Sequence, residues 1–434
     1  MNSSSTYLQD LQVTALLLAA LLLLAVYVPA ATAGQPASPA EASRTWTVSP
    51  GGELSTLREA VARADSGDTV ILREGTYRER NLLIDKTLTI RGEGRAVLDA
   101  GGEGSVLIVR ADSVTIRDLE VRGSGVSFMD DNAGILVEES SGIRLENLRL
   151  TDNFFGIYLA QVSGGTLRNN RLTASGQRET KSGNGIHLWY SRDIHIEGNR
   201  VEGHRDGIYF EFVRQVRLSG NHSEGNLRYG LHFMFSDHCE FTGNTFRSNG
   251  AGVAVMFTSN VQMTENRFLD NWGSAAYGLL MKEIRSSTVT GNLFSGNSTG
   301  LYLEASSRNR IKRNDFEENG WAVKVMANSM DNQFVENNFL GNTFEVATNS
   351  RQNFNIFNRN HWSHYSGYDL DRDGVGDVPY RPVRLFSILI EKQPETLVLM
   401  RSLLIGILDT AERVMPVLTP EKLQDKNPLM ERIQ

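Results

Sequence analysis

A four-residue pattern of hydrophobic and variable positions recurs along the chain: a glycine, a branched apolar residue, a variable residue and another apolar residue. Successive copies lie 22, 29, 22, 23, 22, 26 and 22 residues apart. A fixed period in this range is typical of stacked supersecondary units rather than of a globular core. The copies begin at Gly134, Gly156, Gly185, Gly207, Gly230, Gly252, Gly278 and Gly300.

A second pattern has the same period: a short strand of alternating apolar and variable residues that ends in asparagine. The repeats are too short to hold a helix each, which excludes the helical and leucine-rich repeat classes. The sequence therefore predicts an all-β fold, a right-handed parallel β-helix of about a dozen coils of roughly 22 residues. We expect the asparagines to adopt left-handed backbone and to form an amide ladder, and the motif glycines to have positive φ.

The patterns also predict how the chain is divided. Residues 34–384 form the β-helix, with an N-terminal cap at 46–80, repeats at 81–360 and an Asp-rich loop at 361–384. Apolar residues at helical spacing predict an amphipathic helix in the cap, which would cover the first coil. These residues are Leu54, Leu57, Ala60, Val61 and Ala64.

The N-terminus predicts export from the cytoplasm. An apolar run from Val13 to Val28 is followed by Ala31-Thr32-Ala33, which fits a small-residue cleavage site. We therefore expect residues 1–33 to be a signal peptide. No Lys or Arg precedes the run, so an uncleaved anchor is the alternative.

At the other end, residues 385–434 are predicted to form a helical tail. Residues 396–414 are apolar on most of a helix, but they are too short and too interrupted to span a bilayer. One interpretation is a helix that caps the open end of the stack. The other is an amphipathic helix that docks on a membrane or a membrane protein. The docking residues would be Leu397, Leu399, Leu403, Leu404 and Ile407.

Charge and cysteine content exclude several classes of function. The net charge of −7 includes no basic patch, so nucleic acid is not predicted as a partner. Cys239 is the only cysteine of the sequence, which excludes an internal disulfide, a four-cysteine zinc site and a cysteine-ligated iron–sulfur cluster. Cys239 aligns with inward-pointing residues, so we expect a buried structural thiol.

The variable position of the glycine motif and the residue after the motif point outward, and in the middle coils these positions carry His, Met, Trp and Tyr. Thioether and imidazole ligands together suit Cu(I). His232, Met234 and Met256 are predicted to lie within about one coil of each other and to bind one copper ion. His187, two coils from His232, would be a second copper station. The alternative is a stripe that binds sugar or protein.

A possible calcium loop is formed by Asp369, Asp371, Asp373 and Asp377, with glycine at the sixth position. Carboxylates at this spacing are similar to an oxygen-ligand calcium loop. The twelfth position holds Tyr380 instead of glutamate, so the loop is not a complete EF-hand. The alternative is an acidic turn that caps the last coil.

The same outward face also carries candidate catalytic groups. Sugar lyases and epimerases on this fold use clustered titratable groups, and the candidates here are His187, Tyr209, Glu211 and His232. The sequence contains no carboxylate pair on this face, nucleophile elbow, phosphate loop or HExxH motif. A uronate epimerase or lyase, or a polysaccharide-binding module, is the alternative to a metal-binding protein.

Several blocks of the chain resemble the NosD-type maturation proteins of nitrous-oxide reductase. They include GNGIHLWYSRDIHIEGNRVEGHRDGIYFEFV, RYGLHFMFSDHCEFTGN and NHWSHYSGYDLDRDGVGDVPYRPV, and the resemblance runs from about Trp46 into the tail. It implies a periplasmic accessory protein, not an enzyme, that passes copper to the reductase. It also implies association with the inner membrane through the membrane subunit of an ABC transporter, and a copper-donating lipoprotein as a further partner.

Overall fold

The computed structural model describes residues 43–127, 129–175, 178–273, 276–350, 354–393 and 423–434. Parallel strands wind into a right-handed β-helix of about 13 coils, which confirms the predicted fold class. Each coil contributes one strand to each of three sheets, called A, B and C. The described residues place 14 strands in sheet A, 13 in sheet B and 12 in sheet C.

The strands are short because each side of a coil is only a few residues long. Sheet A contains Thr45–Val48, Thr69–Leu72, Thr89–Gly92, Thr115–Arg117, Ser141–Glu146, Ser163–Arg168, Arg192–Glu197, Arg217–Ser219, Glu240–Thr242, Gln262–Thr264, Thr288–Thr290, Arg310–Lys312, Gln333–Val335 and Ile356–Asn358. Sheet B contains Gly75–Arg78, Ala96–Asp99, Glu120–Arg122, Arg149–Thr151, Arg171–Thr173, Arg200–Glu202, His222–Glu224, Thr245–Arg247, Arg267–Leu269, Leu293–Ser295, Asp315–Glu317, Asn338–Leu340 and His361–Trp362. Sheet C, which contains the glycine motifs, comprises Leu82–Ile84, Leu107–Val109, Ala133–Glu138, Phe155–Ala160, Ile186–Trp189, Ile208–Glu211, Tyr229–Met234, Ala251–Ser259, Tyr277–Arg285, Thr299–Glu304, Trp321–Val325 and Phe344–Ala347.

A helix at Leu57–Arg63 covers the first coil, as the apolar spacing predicts. Within this helix, Leu57, Ala60 and Val61 are buried. The Thr56 side chain caps its first turn by accepting a hydrogen bond from the Glu59 amide. The buried Glu79 carboxylate accepts the Leu57 and Arg58 amides at 2.6 and 2.9 Å, so the helix start is fully satisfied.

Two long asparagine ladders run along the stack, together with a short one from Asn309 through Asn332 to Asn355, where one ladder was predicted. The first connects Asn170 to Asn360 and the second connects Asn226 to Asn342. The Asn244 amide is typical: Nδ2 donates to Asn266 Oδ1 at 2.9 Å and to a backbone carbonyl at 2.8 Å. The predicted left-handed backbone is not on the ladder asparagines but on the residue before each one, because that residue makes the turn.

The motif glycines are required for a different reason from the predicted one, since their φ angles are not positive. A Cβ atom on Gly252 would lie 2.4 Å from the carbonyl oxygen of Gly278 in the next coil. Gly185 and Gly230 face the same obstacle at 2.6 and 2.7 Å. Glycine is required at these positions because neighbouring coils approach closely.

The tail differs from the prediction of one helical segment. A helix at Leu385–Lys392 packs Phe386 and Ile390 against Phe344 on the last coils of sheet C. Residues 423–434 are not helical and return to the end of the stack, where they form bridges with the last strands of sheets A and B. The predicted signal peptide and all five predicted docking leucine and isoleucine residues lie outside the described residues. Among the described residues, no helix is long and apolar enough to cross a membrane.

Candidate functional site

The outer face of sheet C has the predicted register. His187, Tyr209 and His232 are aligned on three successive coils, and Met234 is the direct partner of Met256. Parallel neighbours in a sheet are about 4.8 Å apart. The three side chains predicted to bind copper therefore come from two adjacent strands and point to the same side of the sheet.

His232 is nearly enclosed by aromatic side chains. Its ring lies 5.0 Å from the ring of Tyr209, edge to face, and 4.6 Å from the ring of Tyr229. Only 7% of the residue is exposed, whereas Met234 and Met256 are partly exposed. The Tyr209 hydroxyl points at Met234 Sδ at 3.9 Å. The imidazole is thus held in one orientation beside two more accessible thioethers.

His187 lies two coils away on the same face and is partly exposed. It stacks on Tyr158 at 4.3 Å between ring centroids and contacts Tyr209 at 4.7 Å. Its Nδ1 lies 3.2 Å from Asn184 Nδ2, and its Nε2 is buried with no hydrogen-bond partner among the described residues. Burial, together with the nearby positive charge of Arg205, lowers the pKa of His187 to about 3. The ring is neutral at neutral pH, and because Asn184 Nδ2 donates to Nδ1, its proton lies on the unpartnered Nε2.

A buried carboxylate lies beneath this face and was not predicted as a site residue. Asp206 is 0% exposed, and neither of its oxygens has a hydrogen-bond partner among the described residues. Oδ2 is 3.4 Å from His232 Nδ1, and Oδ1 is 3.7 Å from Arg228 Nε. Burying an ionised carboxylate without hydrogen bonds costs free energy, so this arrangement needs a functional or structural reason.

Other buried polar atoms in this part of the β-helix also lack a hydrogen-bond partner among the described residues. They are Asn184 Oδ1, both ring nitrogens of His204, Arg205 Nε and the His187 and His232 nitrogens already described. The sequence contained one signal for this cluster. Of the residues that precede the eight motif glycines, Asp206 is the only acid, so comparing that column coil by coil would have singled it out.

A column of exposed and partly exposed aromatic residues follows the same strands. Tyr190, Phe212 and Phe235 each follow the last residue of a sheet C strand, whereas Phe257 lies within the strand Ala251–Ser259. All four have positive φ between 47° and 56°. Successive rings are 4.7, 5.3 and 5.0 Å apart and nearly parallel. Left-handed backbone is unusual for bulky residues and is often retained at functional sites.

The Asp-rich loop brings three of its four predicted ligands together. Carboxylate oxygens of Asp369, Asp371 and Asp373 lie within 4.8 Å of one another. The Asp377 carboxylate instead accepts the Leu370 amide at 2.7 Å. The Asp373 carboxylate raises the pKa of Asp371 by repulsion between like charges, and a bound cation would relieve this repulsion.

Cys239 points into the core, as its alignment predicts. It is 0% exposed, and its thiol donates to the Asp237 carbonyl oxygen at 3.3 Å. Burial raises the pKa of the thiol to about 12. Copper is bound by the thiolate form of cysteine, so Cys239 is not part of the candidate site.

Comparison with known proteins gives three findings. A family model described as a periplasmic copper-binding protein (NosD) matches residues 173–367. The chain is 33% identical over 387 residues to a probable ABC transporter binding protein NosD of Pseudomonas aeruginosa, covering 85% of this chain and 89% of the relative. It is 30% identical over 380 residues to the protein of the same name in Stutzerimonas stutzeri, covering 83% and 86%.

Solved structures confirm the fold at low sequence identity. The A-module of the mannuronan C-5 epimerase AlgE6 of Azotobacter vinelandii has a TM-score of 0.58 with this chain and is 15% identical to it. The match covers 69% of this chain and 91% of that module. Similarity at this level concerns the coiled scaffold, while function depends on the side chains of the site.

Proposed function

This chain belongs to the NosD family, and on that basis we propose that it is a periplasmic accessory protein that binds Cu(I) and delivers it for the maturation of nitrous-oxide reductase. The matching family model is described as a periplasmic copper-binding protein. Both relatives are named as probable ABC transporter binding proteins, which supports a membrane ABC transporter as partner. The reductase and a copper-donating lipoprotein complete the proposed transfer chain.

The observation that carries the proposal is the grouping of one imidazole and two thioethers on the open face of sheet C. Met234 and Met256 are register partners, and His232 precedes Met234 by two residues on the same side of its strand. Neutral sulfur and nitrogen ligands are the donor set that favours Cu(I) over harder divalent ions. His187, whose Nε2 is unpartnered among the described residues, would be a second station two coils away.

The test is an anaerobic titration of the protein with Cu(I) against a chromophoric chelator of known affinity. We expect the wild type to bind about one equivalent tightly at its principal site, and the variant His232→Ala/Met234→Ala/Met256→Ala to lose that equivalent while keeping its circular dichroism spectrum. The matched control is His238→Ala/Met129→Ala/Met330→Ala, which removes the same residue types at exposed positions. If the site variant and the control variant bind Cu(I) equally well, His232, Met234 and Met256 are not the ligand set.

Docking on the transporter is assigned to the tail. The described part of the tail already contacts the β-helix at Leu385–Lys392 and at 423–434, so a truncation would also remove the end of the stack. Replacing Leu397, Leu399, Leu403, Leu404 and Ile407 by glutamine leaves both contacts in place. We expect this variant to bind copper normally but to lose co-purification with the membrane subunit. Retained co-purification would assign docking to another surface.

The alternative is a carbohydrate-active β-helix, and the aromatic column is the feature that favours it. However, its rings lie nearly parallel and stack on one another, so their edges and not their faces point to solvent. Sugar-binding aromatic platforms present ring faces. Incubating the purified protein with uronate polymers is therefore expected to give no new unsaturated or epimerised residues, and turnover would favour an enzyme.

A further inference from the structure

We propose that Asp206 is a positioning residue for copper binding: its buried carboxylate holds His232 with the proton on Nδ1, so that Nε2 is presented as the metal ligand. This inference rests on the proposed function, since it takes His232 to be a copper ligand. It adds a residue from a different coil and a different part of the sequence to the site.

The geometry supports a histidine–carboxylate pair. Asp206 Oδ2 is 3.4 Å from His232 Nδ1, and a hydrogen bond would need that distance to shorten by only a few tenths of an ångström. Nδ1 is buried and has no other partner among the described residues. The rings of Tyr209 and Tyr229 restrict rotation of the imidazole. Ring nitrogens opposite a carboxylate are the usual metal ligands in such pairs.

Charge gives a second reason. The three proposed copper ligands are neutral, so Cu(I) would bring one uncompensated positive charge to a poorly solvated site. Asp206 supplies the opposite charge. Arg228 Nε lies 3.7 Å from Oδ1, at ion-pair but not hydrogen-bond distance, and Arg205 Nε has no hydrogen-bond partner among the described residues. Asp206 therefore already faces one cation, and its negative charge would act on both Arg228 and a bound Cu(I).

Two substitutions separate the hydrogen bond from the charge. Asp206→Leu removes both, and Asp206→Asn keeps an acceptor for Nδ1–H but removes the charge. The side chain of Arg228, the ion-pair partner of Asp206, is 33% exposed, so its guanidinium stays hydrated and both variants are expected to keep the fold. We expect the affinity for Cu(I) to fall about 10- to 100-fold in the leucine variant, as for other supporting residues of metal ligands. The affinity of the asparagine variant for Cu(I) should fall by a smaller factor.

The first readout is made without copper. Nitrogen-15 chemical shifts of the imidazoles, assigned with His232→Gln, report which nitrogen carries the proton. We expect the Nδ1–H tautomer in the wild type and in Asp206→Asn, and a shift towards Nε2–H in Asp206→Leu. The matched control is Asp237→Leu, which removes an exposed carboxylate that contacts His238 Nδ1 at 2.9 Å. The tautomer of His232 should be unchanged in that control.

The second readout is a double-mutant cycle. In a His232→Ala background, Asp206→Leu should cause no further loss of Cu(I) affinity, because Asp206 acts through His232. An additional loss in that background, or an unchanged tautomer in Asp206→Leu, would overturn the proposal. A wild-type protein that fails to bind Cu(I) would overturn the proposed function and with it the copper role, while the tautomer spectra would still decide whether Asp206 orients His232.

Discussion

The C-terminal coils and the middle coils of the β-helix differ in how completely their buried polar groups are hydrogen-bonded. From Asn244 to Asn360 every ladder amide is hydrogen-bonded, and beside the ladders Phe268, Phe294 and Phe316 stack at 4.6 and 4.7 Å. Around Asp206, by contrast, buried nitrogens and oxygens of six residues have no partner among the described residues. Satisfied networks rigidify a structure, and unsatisfied groups indicate a place reserved for something else. The scaffold and the candidate site can therefore be distinguished by hydrogen bonding alone.

The largest expected loss of stability comes from removing the carboxylate that ends the first asparagine ladder. Asp425 Oδ2 accepts the Asn360 amide and Nδ2, both at 2.9 Å, and the Trp362 Nε1 at 3.2 Å. Asp425→Ala would leave these buried donors unpartnered and should reduce the free energy of unfolding by about 3–5 kcal/mol, measured by urea denaturation. Asp85→Ala, at an exposed position, should change it by less than about 0.5 kcal/mol. Equal values would mean that Asp425 does not terminate the ladder.

Two glycine substitutions test how closely the coils are packed. In Gly252→Ala the new Cβ would lie 2.4 Å from the Gly278 carbonyl oxygen, so neighbouring backbones must separate. We expect a loss of about 3 kcal/mol in the free energy of unfolding. Gly243→Ala has φ of +65° but no atom within 4 Å of the new Cβ, and should lose only about 1 kcal/mol. The opposite order would show that backbone conformation dominates over close approach.

The buried histidines of the middle coils should make the free energy of unfolding depend on pH. Burial lowers the pKa of His204 to about 4, against about 6.5 in an unfolded chain. Above pH 6.5 both states are neutral, whereas below it only the unfolded chain binds the proton. The free energy of unfolding should therefore fall as pH decreases, by about 2 kcal/mol between pH 6.5 and 5. His204→Phe should flatten this dependence in denaturation curves, whereas His195→Phe, at an exposed position, should not.

The smallest expected effect concerns the Asp-rich loop. If Asp369, Asp371 and Asp373 bind calcium, millimolar Ca²⁺ should stabilise the wild type by about 1 kcal/mol, seen as a melting temperature that rises by a few degrees and falls again with a chelator. Asp371→Asn/Asp373→Asn should abolish the response. Equal melting curves of the wild type with and without Ca²⁺ would leave an acidic turn that only caps the last coil.

The sequence predicted those features that follow from the repeat. Strand alternation placed His187, His232, Met234 and Met256 on the outer face in the correct register, and it placed Cys239 in the core. Each of these depends only on local periodicity and on one coil stacking on the next. An error of one residue in the register would move every side chain to the other face of its sheet. The correct period was therefore sufficient to assign each side chain to a face.

Features that depend on turns and on distant contacts were not predicted. The burial of Asp206 is set by the conformation of the turns before two strands, which the repeat does not encode. Asp425 meets Asn360 across 65 residues and lies in no repeat, so no spacing indicated it. The role of the motif glycines was misjudged because the lack of room for a Cβ atom, which at Gly252 would lie 2.4 Å from the Gly278 carbonyl oxygen, is a property of the assembled stack.

The return of residues 423–434 to the last coil also limits the length of the rod. Without them, Ile356–Asn358 and His361–Trp362 would present free N–H and C=O groups, and such an edge can pair with a strand of another molecule. A β-helix with an open end is a template for polymerisation, since one chain could continue the sheets of the next. By pairing with these two strands, residues 423–434 cover the edges of sheets A and B that such a continuation would need.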